Sequence, residues 1–263
     1  KIAIIGTGNL GQSIAHGIIH QKELIYSSLY LTKRNTKALK KWEDVQNLTI
    51  TTDNIEAVRQ SEVIIIAVQP GHLSDVLEEI KAVFNLTVHT IISVVTGRKI
   101  EQIEAVVGSE ISIIRGMPNT AIAVSQSMTC LSANKQGQKA LDTAKQIFET
   151  LGEVICIDED LMQAATVICA SGIAFWMRLI RATTQGAIQL GFEAEIAKKI
   201  AIQTCKGAAN LLIETENHPE EEIDKVTTPN GCTIEGLNEM EHQGLSSSLI
   251  KGIVTSFNKI NQI

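Results

Sequence analysis

The chain has 263 residues, of which 44% are hydrophobic and 20% charged, a composition typical of a globular protein that excludes a fibrous or largely disordered one. Its 23 basic and 29 acidic side chains give a formal net charge of −6 without a basic stripe, which argues against a nucleic-acid partner. No apolar run reaches membrane-spanning length and no signal peptide is recognisable, so we expect no membrane partner and a cytoplasmic location.

The cysteines and histidines show no pattern typical of a disulfide framework or a metal site. The 5 cysteines are odd in number and contain no Cys-x-x-Cys pair. The 6 histidines are dispersed as well. We therefore expect no metal and a reducing cytoplasm. The cysteines are Cys130, Cys156, Cys169, Cys205 and Cys232.

The chain opens on an apolar segment that leads into a glycine motif. Residues 2–5 are an isoleucine-rich run typical of a buried parallel strand. Gly6, Gly8 and Gly11 follow as Gly-x-Gly-x-x-Gly, where glycines permit a tight turn, close approach of a pyrophosphate and packing of helix on strand. An ordinary glycine-rich turn is the alternative. The position between a strand and a helix favours a dinucleotide site, with the helix N-terminus at the phosphates.

Basic residues follow the second predicted strand, at residues 28–32. In a dinucleotide fold this strand end lies at the adenosine ribose, where an acidic residue binds the hydroxyls of NAD and a basic one accommodates the 2′-phosphate of NADP. The chain has Lys33, Arg34 and Asn35 there, and no carboxylate. A solvated charge pair in a loop is the alternative. We expect a preference for NADP(H), with NAD(H) as the second cofactor.

Strands and helices alternate as far as residue 157. Strands are predicted at 48–51, 63–68, 90–95, 111–114, 128–132 and 153–157, and helices from 54 and at 72–84, 100–107 and 135–151. This α/β alternation predicts a doubly wound parallel sheet of the Rossmann type. Because ligands bind beyond the carboxyl ends of such strands, five segments should converge on one crevice: 6–11, 33–34, 68–70, 95–97 and 117–120.

The pattern changes near residue 158. Residues 161–190 predict one long helix, apolar on most sides, which suits packing against a second copy of the chain. Helices at 193–215 and 245–260 flank an acidic, solvated segment at 219–224 and a polar loop that leads to Thr233. A helix start capped by a hydroxyl is the plain interpretation of that loop. We therefore divide the chain into a dinucleotide-binding domain, 1–158, and an all-helical domain, 159–263.

Several motifs, in this order along the whole chain, resemble the Δ1-pyrroline-5-carboxylate reductase family. The most specific is Val226-Thr-Thr-Pro-Asn-Gly-Cys-Thr-Ile-Glu-Gly-Leu237, which is similar to the family signature Val-Thr-Ser-Pro-Gly-Gly-Thr-Thr-Ile-x-Gly-Leu. The others are Gly6-Thr-Gly8-Asn-Leu-Gly11, Asp53-Asn54, Ala67-Val-Gln-Pro70 and Arg115-Gly-Met-Pro-Asn-Thr120.

The resemblance implies a Rossmann domain followed by an all-helical dimerisation domain, in a homodimer or a larger homo-oligomer such as a decamer. It implies NADPH-dependent reduction of 1-pyrroline-5-carboxylate to L-proline by hydride transfer to the imine carbon, at a site between one chain's cofactor domain and its partner's helices. By the same resemblance, the residues at the cofactor are Gly6, Thr7, Gly8, Asn9, Leu10, Gly11, Lys33, Arg34, Asn54, Val68, Gln69, Pro70, Met117, Pro118 and Asn119.

The family signature also implies the substrate site. Backbone donors of the loop from Thr228 to Thr233 would hold the substrate carboxylate, and the Thr233 hydroxyl would lie at the pyrroline nitrogen. No Asp, Glu or His proton donor lies in these motifs, and a neutral hydroxyl is a poor acid near pH 7. Our hypothesis is that Thr233 orients the imine, while the proton comes through it from water or from the iminium form. The predicted substrate residues are Ser171, Thr228, Asn230, Gly231, Cys232 and Thr233, with Thr233 as the catalytic residue.

Three departures from the family pattern leave alternatives open. Cys169-Ala-Ser-Gly-Ile-Ala-Phe175 stands where the family has Ser-Gly-Ser-Gly-Pro-Ala-Tyr, and without the proline we expect a more regular helix. Ala121 replaces a usual proline, and Gln69 replaces a common lysine. A reductase for another cyclic imine or carbonyl, or a non-catalytic paralogue, are the alternatives. The intact glycine motif and Thr233 argue against the paralogue.

Overall fold

One sheet of 8 strands organises the first part of the chain in the computed structural model, which describes residues 1–21 and 26–260. The strands are those predicted, with ends that differ by at most three residues. They are β1 (Ile2–Ile5), β2 (Leu29–Thr32), β3 (Leu48–Thr51), β4 (Val63–Ile66), β5 (Thr90–Ser93), β6 (Ser112–Met117), β7 (Ser127–Ala133) and β8 (Gly152–Cys156).

The sheet has the order β3-β2-β1-β4-β5-β6-β7-β8. All neighbouring pairs from β3 to β6 are parallel, which confirms the doubly wound α/β prediction. The pair β6 and β7 is antiparallel, whereas β7 and β8 are parallel to each other. The last two strands therefore run in the direction opposite to the other six, which the predicted doubly wound parallel sheet does not include. The 3₁₀ turn Thr120–Val124 connects β6 to β7 without a crossover helix, so the chain returns in the opposite direction.

Alternation along the buried strands divides the core between the two faces of the sheet. In β1, Ile2 and Ile4 join one apolar cluster, while Ala3 and Ile5 join the other. Two helices cover the first face and three cover the second, as the buried residues of each cluster show. The first pair is α1 (Asn9–Ile19) and α5 (Leu141–Glu149), and the other three are α2 (Asn54–Arg59), α3 (Leu73–Ile80) and α4 (Ile100–Val107).

The predicted long helix from residue 161 is interrupted by a wider turn. A short α6 (Met162–Ala165) runs into a π-helical turn, Thr166–Ser171, before α7 (Gly172–Gln189) begins. The expectation of a regular helix here is therefore wrong. Side chains compete for two carbonyls of this stretch: the Thr166 hydroxyl donates to Met162 O at 2.8 Å, and Asn119 Nδ2 donates to Cys169 O at 3.2 Å. Such insertions into the backbone ladder favour local unwinding.

The chain divides into two packing units: the first contains the residues up to Ser171 and the end of the last helix from Lys259, and the second contains Gly172–Asn258. The domain boundary after residue 158 stays a prediction. The second unit is all-helical, and its longest helices, α7 and α8 (Ala194–Thr215), pack together. The acidic segment forms the exposed helix α9 (Pro219–Val226), which starts with proline and has three glutamates in its first turn. The last helices are α10 (Cys232–His242) and α11 (Leu245–Ile260).

The helical part of the chain is unusually apolar at its surface. By length and composition, the stretch Glu159–Gln189 could cross a membrane, which differs from our expectation that no apolar run reaches membrane-spanning length. The second unit buries few side chains, among them Thr184, Ala197 and Ala201. Its large exposed apolar side chains include Trp176, Met177, Leu190, Phe192, Ile196, Ile200, Ile202, Leu211, Ile213, Ile250 and Val254.

A buried ion pair fastens the start of the helical segment to the sheet. Arg115 in β6 is fully buried, and its Nη1 donates to Glu159 Oε1 at 2.9 Å. The same carboxylate oxygen accepts from the backbone N–H of Ile100, the first residue of α4, at 3.2 Å. Arg115 Nη2 lies 3.4 Å from Gln163 Oε1. One guanidinium therefore links β6, through Glu159, to α4 and to the chain leading into α6.

Replacing Arg115 by methionine should destabilise the first unit, because Glu159 then loses its cationic partner. We expect the free energy of unfolding to fall by about 2 to 4 kcal/mol, less than for a fully buried pair since Glu159 is partly exposed. Urea unfolding followed by circular dichroism measures this. Lys81→Met, which removes the exposed Lys81–Glu78 pair, is the control and should cost less than about 1 kcal/mol. Equal losses in the two variants would contradict the assignment.

Candidate active site

The carboxyl ends of the parallel strands β1 to β6 lie at one edge of the sheet. The five segments predicted to converge all follow these strands, so the topology places them at this edge. Strand order reverses between β1 and β4, and ligands of doubly wound folds bind at such a switch point. The glycine loop follows β1, and Val68, Gln69 and Pro70 follow β4.

The glycine loop is pressed against the end of β4. Gly6 has a φ of +86°, and a Cβ built on it would lie 2.5 Å from Val68 Cγ1. A Cβ on Gly11 would lie 2.8 Å from Gly6 O, so both positions require glycine. The Gly8 N–H donates to Gly6 O at 2.7 Å and closes the turn. A Cβ on Gly8, by contrast, would meet its nearest neighbour only at 4.0 Å, which leaves space for a ligand.

The N-terminus of α1 is open to an anion. Gly8 caps the helix without a side-chain hydrogen bond, and the first turn contains no acidic residue. Asn9 is exposed and Leu10 is half-buried, so the first backbone N–H groups are accessible. Free N–H groups and the helix dipole together favour a bound phosphate. The residues present therefore fit the pyrophosphate of a dinucleotide.

Two predicted cofactor residues have side chains that are already engaged within the protein. Thr7 is fully buried, and its hydroxyl donates to Thr32 O at 3.0 Å, so it ties β1 to β2. Asn54 accepts from the Thr32 hydroxyl at 2.7 Å and donates to Glu79 Oε2 at 2.9 Å. These contacts hold the glycine loop and the start of α2 in place. A cofactor contact by Thr7 would have to use its backbone.

The basic pair after β2 is available to a ligand. Lys33 is half-buried and Arg34 is exposed. Within residues 1–21 and 26–260, neither side chain takes part in an ion pair. Asn35 is used differently, since its side chain accepts from the Lys37 N–H and caps a 3₁₀ turn. The carboxylate of Asp53, beyond the neighbouring β3, caps α2 by accepting from the Glu56 N–H.

Asn119, after β6, connects the candidate cofactor edge to the π turn. Its Oδ1 accepts from the Ala121 N–H at 2.9 Å, and its Nδ2 donates to Cys169 O at 3.2 Å. Met117 and Pro118 are buried, so their side chains pack inside the first unit. Ser171, predicted at the substrate, is exposed and ends the π turn. Gln69 is exposed after β4.

The remaining predicted substrate residues form one turn in the second unit. The Gly231 N–H donates to Thr228 O at 2.9 Å, and Asn230 has a φ of +58°. Proline followed by a residue with positive φ is typical of a type II turn, which Asn tolerates better than most residues. A Cβ on Gly231 would collide with the Thr228 side chain and carbonyl. The turn therefore depends on glycine at 231.

This turn leads directly into the N-terminus of α10. Gly231 caps the helix without a side-chain hydrogen bond, so the first N–H groups of the helix are available to an anion. Cys232 is exposed and Thr233, the second residue of the helix, is half-buried. In the part of the chain that the structure describes, the Thr233 hydroxyl has no hydrogen-bond partner. The arrangement suits a carboxylate with a polar group beside it, although the first turn of α10 also carries the acidic Glu235.

Two features near this edge were not predicted. The Arg115–Glu159 pair joins residues that no motif links. The signal for this ion pair in the sequence is the presence of an arginine within the otherwise apolar strand β6. Cys130 and Cys169 lie with their sulfurs 3.7 Å apart, although they are 39 residues apart in sequence. Their spacing carries no signal, because β7 and the π turn meet only through tertiary packing.

Comparison with known proteins identifies the family of this chain. The family described as pyrroline-5-carboxylate reductase dimerisation matches residues 159–263, and NADP oxidoreductase coenzyme F420-dependent matches residues 1–97. The chain is 43% identical to pyrroline-5-carboxylate reductase 2 of Dictyostelium discoideum, covering 98% of the chain and 91% of that protein. The chain belongs to the pyrroline-5-carboxylate reductase family. It is also 47% identical to pyrroline-5-carboxylate reductase 1 of the same organism, but spans only 49% of that protein's length.

Solved structures of pyrroline-5-carboxylate reductases share the fold over nearly the whole chain. That from Coxiella burnetii superimposes with a TM-score of 0.91 at 29% identity, covering 99% of this chain and 97% of its own. The Plasmodium falciparum enzyme, with NADP bound, has a TM-score of 0.86 at 26% identity and coverages of 99% and 96%. The second unit thus lies within the part of the chain that matches the family's dimerisation domain, and it exposes many large apolar side chains.

Proposed function

We propose that this chain catalyses the NADPH-dependent reduction of 1-pyrroline-5-carboxylate to L-proline, an oxidoreductase reaction at a C=N bond. One observation carries the proposal: the chain combines an open dinucleotide site at the sheet's switch point with an uncapped helix N-terminus that carries Thr233. Membership of the pyrroline-5-carboxylate reductase family supports it across the whole chain.

The cofactor half of the site would be formed by the glycine loop, the residues after β4 and the backbone after β6. The N-terminus of α1 binds the pyrophosphate, and the close contact between Gly6 and Val68 fixes the loop that presents it. When bound, NADPH supplies the hydride that reduces the imine carbon. The protein's part is to bind and orient the two reactants, because geometry alone accounts for much of such a rate enhancement.

The substrate half would be formed by the turn from Thr228 to Gly231 and by the start of α10. The substrate carboxylate is an anion that fits the free N–H groups at this helix N-terminus. Once the carboxylate is fixed there, the adjacent Thr233 hydroxyl reaches toward the ring nitrogen. We propose that this hydroxyl orients the imine by a hydrogen bond to the ring nitrogen. The proton on that nitrogen comes through the hydroxyl from water, or it is already present in the iminium form of the substrate. The hydroxyl is not itself a strong acid.

Purified protein should oxidise NADPH when pyrroline-5-carboxylate is added, which is followed by absorbance. Thr233→Ala should lower kcat/KM by about 10- to 10³-fold, because a positioned hydrogen bond is lost. Thr233→Ser keeps a hydroxyl at this position and should recover most of the activity. NADPH affinity should stay unchanged in both variants, as measured by ligand fluorescence.

The results separate the proposed reaction from its alternatives. Activity with other cyclic imines or carbonyls, but not with pyrroline-5-carboxylate, would indicate a different substrate. Tight NADPH binding without turnover of any of them would indicate a non-catalytic paralogue. Wild-type kinetics in Thr233→Ala would remove Thr233 from the mechanism.

Lys33 and Arg34 would select NADPH through its 2′-phosphate. They lie at the end of β2, and the nearby Asp53 carboxylate is engaged in capping α2. A charge-assisted hydrogen bond is worth about 1.5 to 3 kcal/mol, so Arg34→Ala should raise KM for NADPH by about 10- to 100-fold. KM for NADH should change less than about 3-fold, since that cofactor lacks the phosphate. Lys40→Ala, an exposed charge in the same segment, is the control. Equal changes for both cofactors would contradict the assignment.

The second unit would form the interface of a homodimer, or of a larger assembly such as a decamer. Ile196 and Ile200 lie one turn apart on α8 and are 52% and 42% exposed, an unfavourable state unless a second copy covers them. Light scattering of the purified protein should give at least twice the mass of one chain. Ile196→Glu with Ile200→Glu should lower that mass.

Val124→Glu is the matched control for the interface, because Val124 is a 70% exposed apolar residue of the first unit. It should leave the mass unchanged. A monomer in the wild-type protein would contradict the proposed assembly. An unchanged mass in the double variant would show that this face of α8 is not the interface. The expected cytoplasmic location stays a prediction.

A further inference from the structure

Two cysteines meet beneath the cofactor edge of the sheet. Cys130 in β7 is 3% exposed, and Cys169 lies in the π turn and is partly exposed. Their sulfur atoms are 3.7 Å apart. A disulfide S–S bond is about 2.05 Å long, so the sulfurs need to approach by less than about 2 Å to form one. Both thiols are free in the structure.

The surroundings of this pair couple it to the candidate active site. Cys130 is the register partner of Met117, which stands two residues before Asn119. Asn119 in turn donates from Nδ2 to Cys169 O. Ser171 is two residues beyond Cys169 in the same π turn. Movement of the sulfur atoms would therefore shift the contacts of Asn119, which is predicted at the cofactor, and the position of Ser171, which is predicted at the substrate.

The two thiols differ in reactivity in the way that a dithiol site requires. The hydrogen bond from the Cys130 thiol lowers the pKa of Cys169 to about 7, and that hydrogen bond together with burial raises the pKa of Cys130. Cys169, the more accessible of the two, thus has the greater thiolate fraction at neutral pH. Cys130 remains a protonated thiol next to it, in the position of a resolving cysteine.

We propose that Cys130 and Cys169 form an oxidisable dithiol site that a hydroperoxide converts into an intramolecular disulfide. The Cys169 thiolate attacks a peroxide oxygen and the O–O bond breaks, which gives a sulfenic acid and, after protonation, water or an alcohol. Cys130 then attacks the sulfenic sulfur: the S–S bond forms, the S–O bond breaks, and the Cys130 proton leaves with the hydroxyl as water. Two thiols are oxidised and one peroxide is reduced, and an added dithiol reverses the change.

Disulfide formation should also slow the reductase, a consequence that rests on the proposed function. Drawing Cys169 toward β7 displaces the carbonyl that Asn119 donates to, and moves the end of the π turn at Ser171. We expect kcat/KM to fall by about 2- to 10-fold, the effect of one lost neutral hydrogen bond. Dithiothreitol should restore the rate.

Mass spectrometry tests the site without reference to activity. Trypsin separates Cys130 in peptide 116–135 from Cys169 in peptide 146–178. Because the second peptide also contains Cys156, the experiment uses Cys156→Ser, a change at an exposed position of β8. After treatment with hydrogen peroxide and alkylation of free thiols, the two peptides should appear linked and separate on reduction. In Cys130→Ser, Cys169 should instead be trapped as a sulfenic acid by dimedone.

Kinetics with the same samples test the consequence. Cys169→Ser, which carries the residue usual in the family, should have the untreated rate and should not respond to peroxide. Linked peptides with an unchanged rate would overturn the proposal that the disulfide slows the reductase. Alkylation of both cysteines after peroxide treatment would overturn the dithiol site itself. If the protein reduces no imine, the proposed function fails while the linked peptides still report on the dithiol site.

Discussion

The close approach of Gly6 to Val68 is the constraint on which the cofactor half of this protein depends. It exists because β1 and β4 are parallel neighbours whose carboxyl ends lie together, and because no side chain separates the two loops. Gly11 repeats the condition where α1 crosses the same loop. The buried isoleucines of the strands define which face each helix covers, and the glycines let the chain turn at that edge and expose N–H groups to a phosphate.

The second unit differs from the sheet in how its apolar side chains are placed. Its helices bury few residues and expose many large apolar ones, so one chain alone leaves much of its hydrophobic surface in water. The same sequence nevertheless builds an ordered polar turn at Thr228–Gly231, where positive φ at Asn230 and the missing side chain of Gly231 shape the start of α10. The exposed apolar faces and the ordered polar turn are therefore formed by different residues of one unit.

Much of this architecture could be predicted from sequence because it rests on local patterns. Short isoleucine runs, the glycine motif and the long apolar helices each carry a periodicity or spacing of their own. The reversal of β7, the π turn and the Arg115–Glu159 pair could not be predicted, because each depends on contacts between distant segments. Cys130 and Cys169 are the plainest example, since the same dispersed spacing that excludes a disulfide framework also conceals two sulfurs 3.7 Å apart.

One departure from the family pattern, at residues 169–175, lies where tertiary contacts as well as residue type determine the backbone. A proline would break the ladder near residue 173 by removing an N–H, yet the chain carries Ile173 and still unwinds just before it. Here the side chains of Thr166 and Asn119 donate hydrogen bonds to backbone carbonyls of the helix, and these bonds disrupt the regular helical hydrogen-bond pattern. A π turn held in this way keeps Ser171 at the end of an irregular segment although the chain has no proline there. This argues that the altered segment is compatible with the family's reaction.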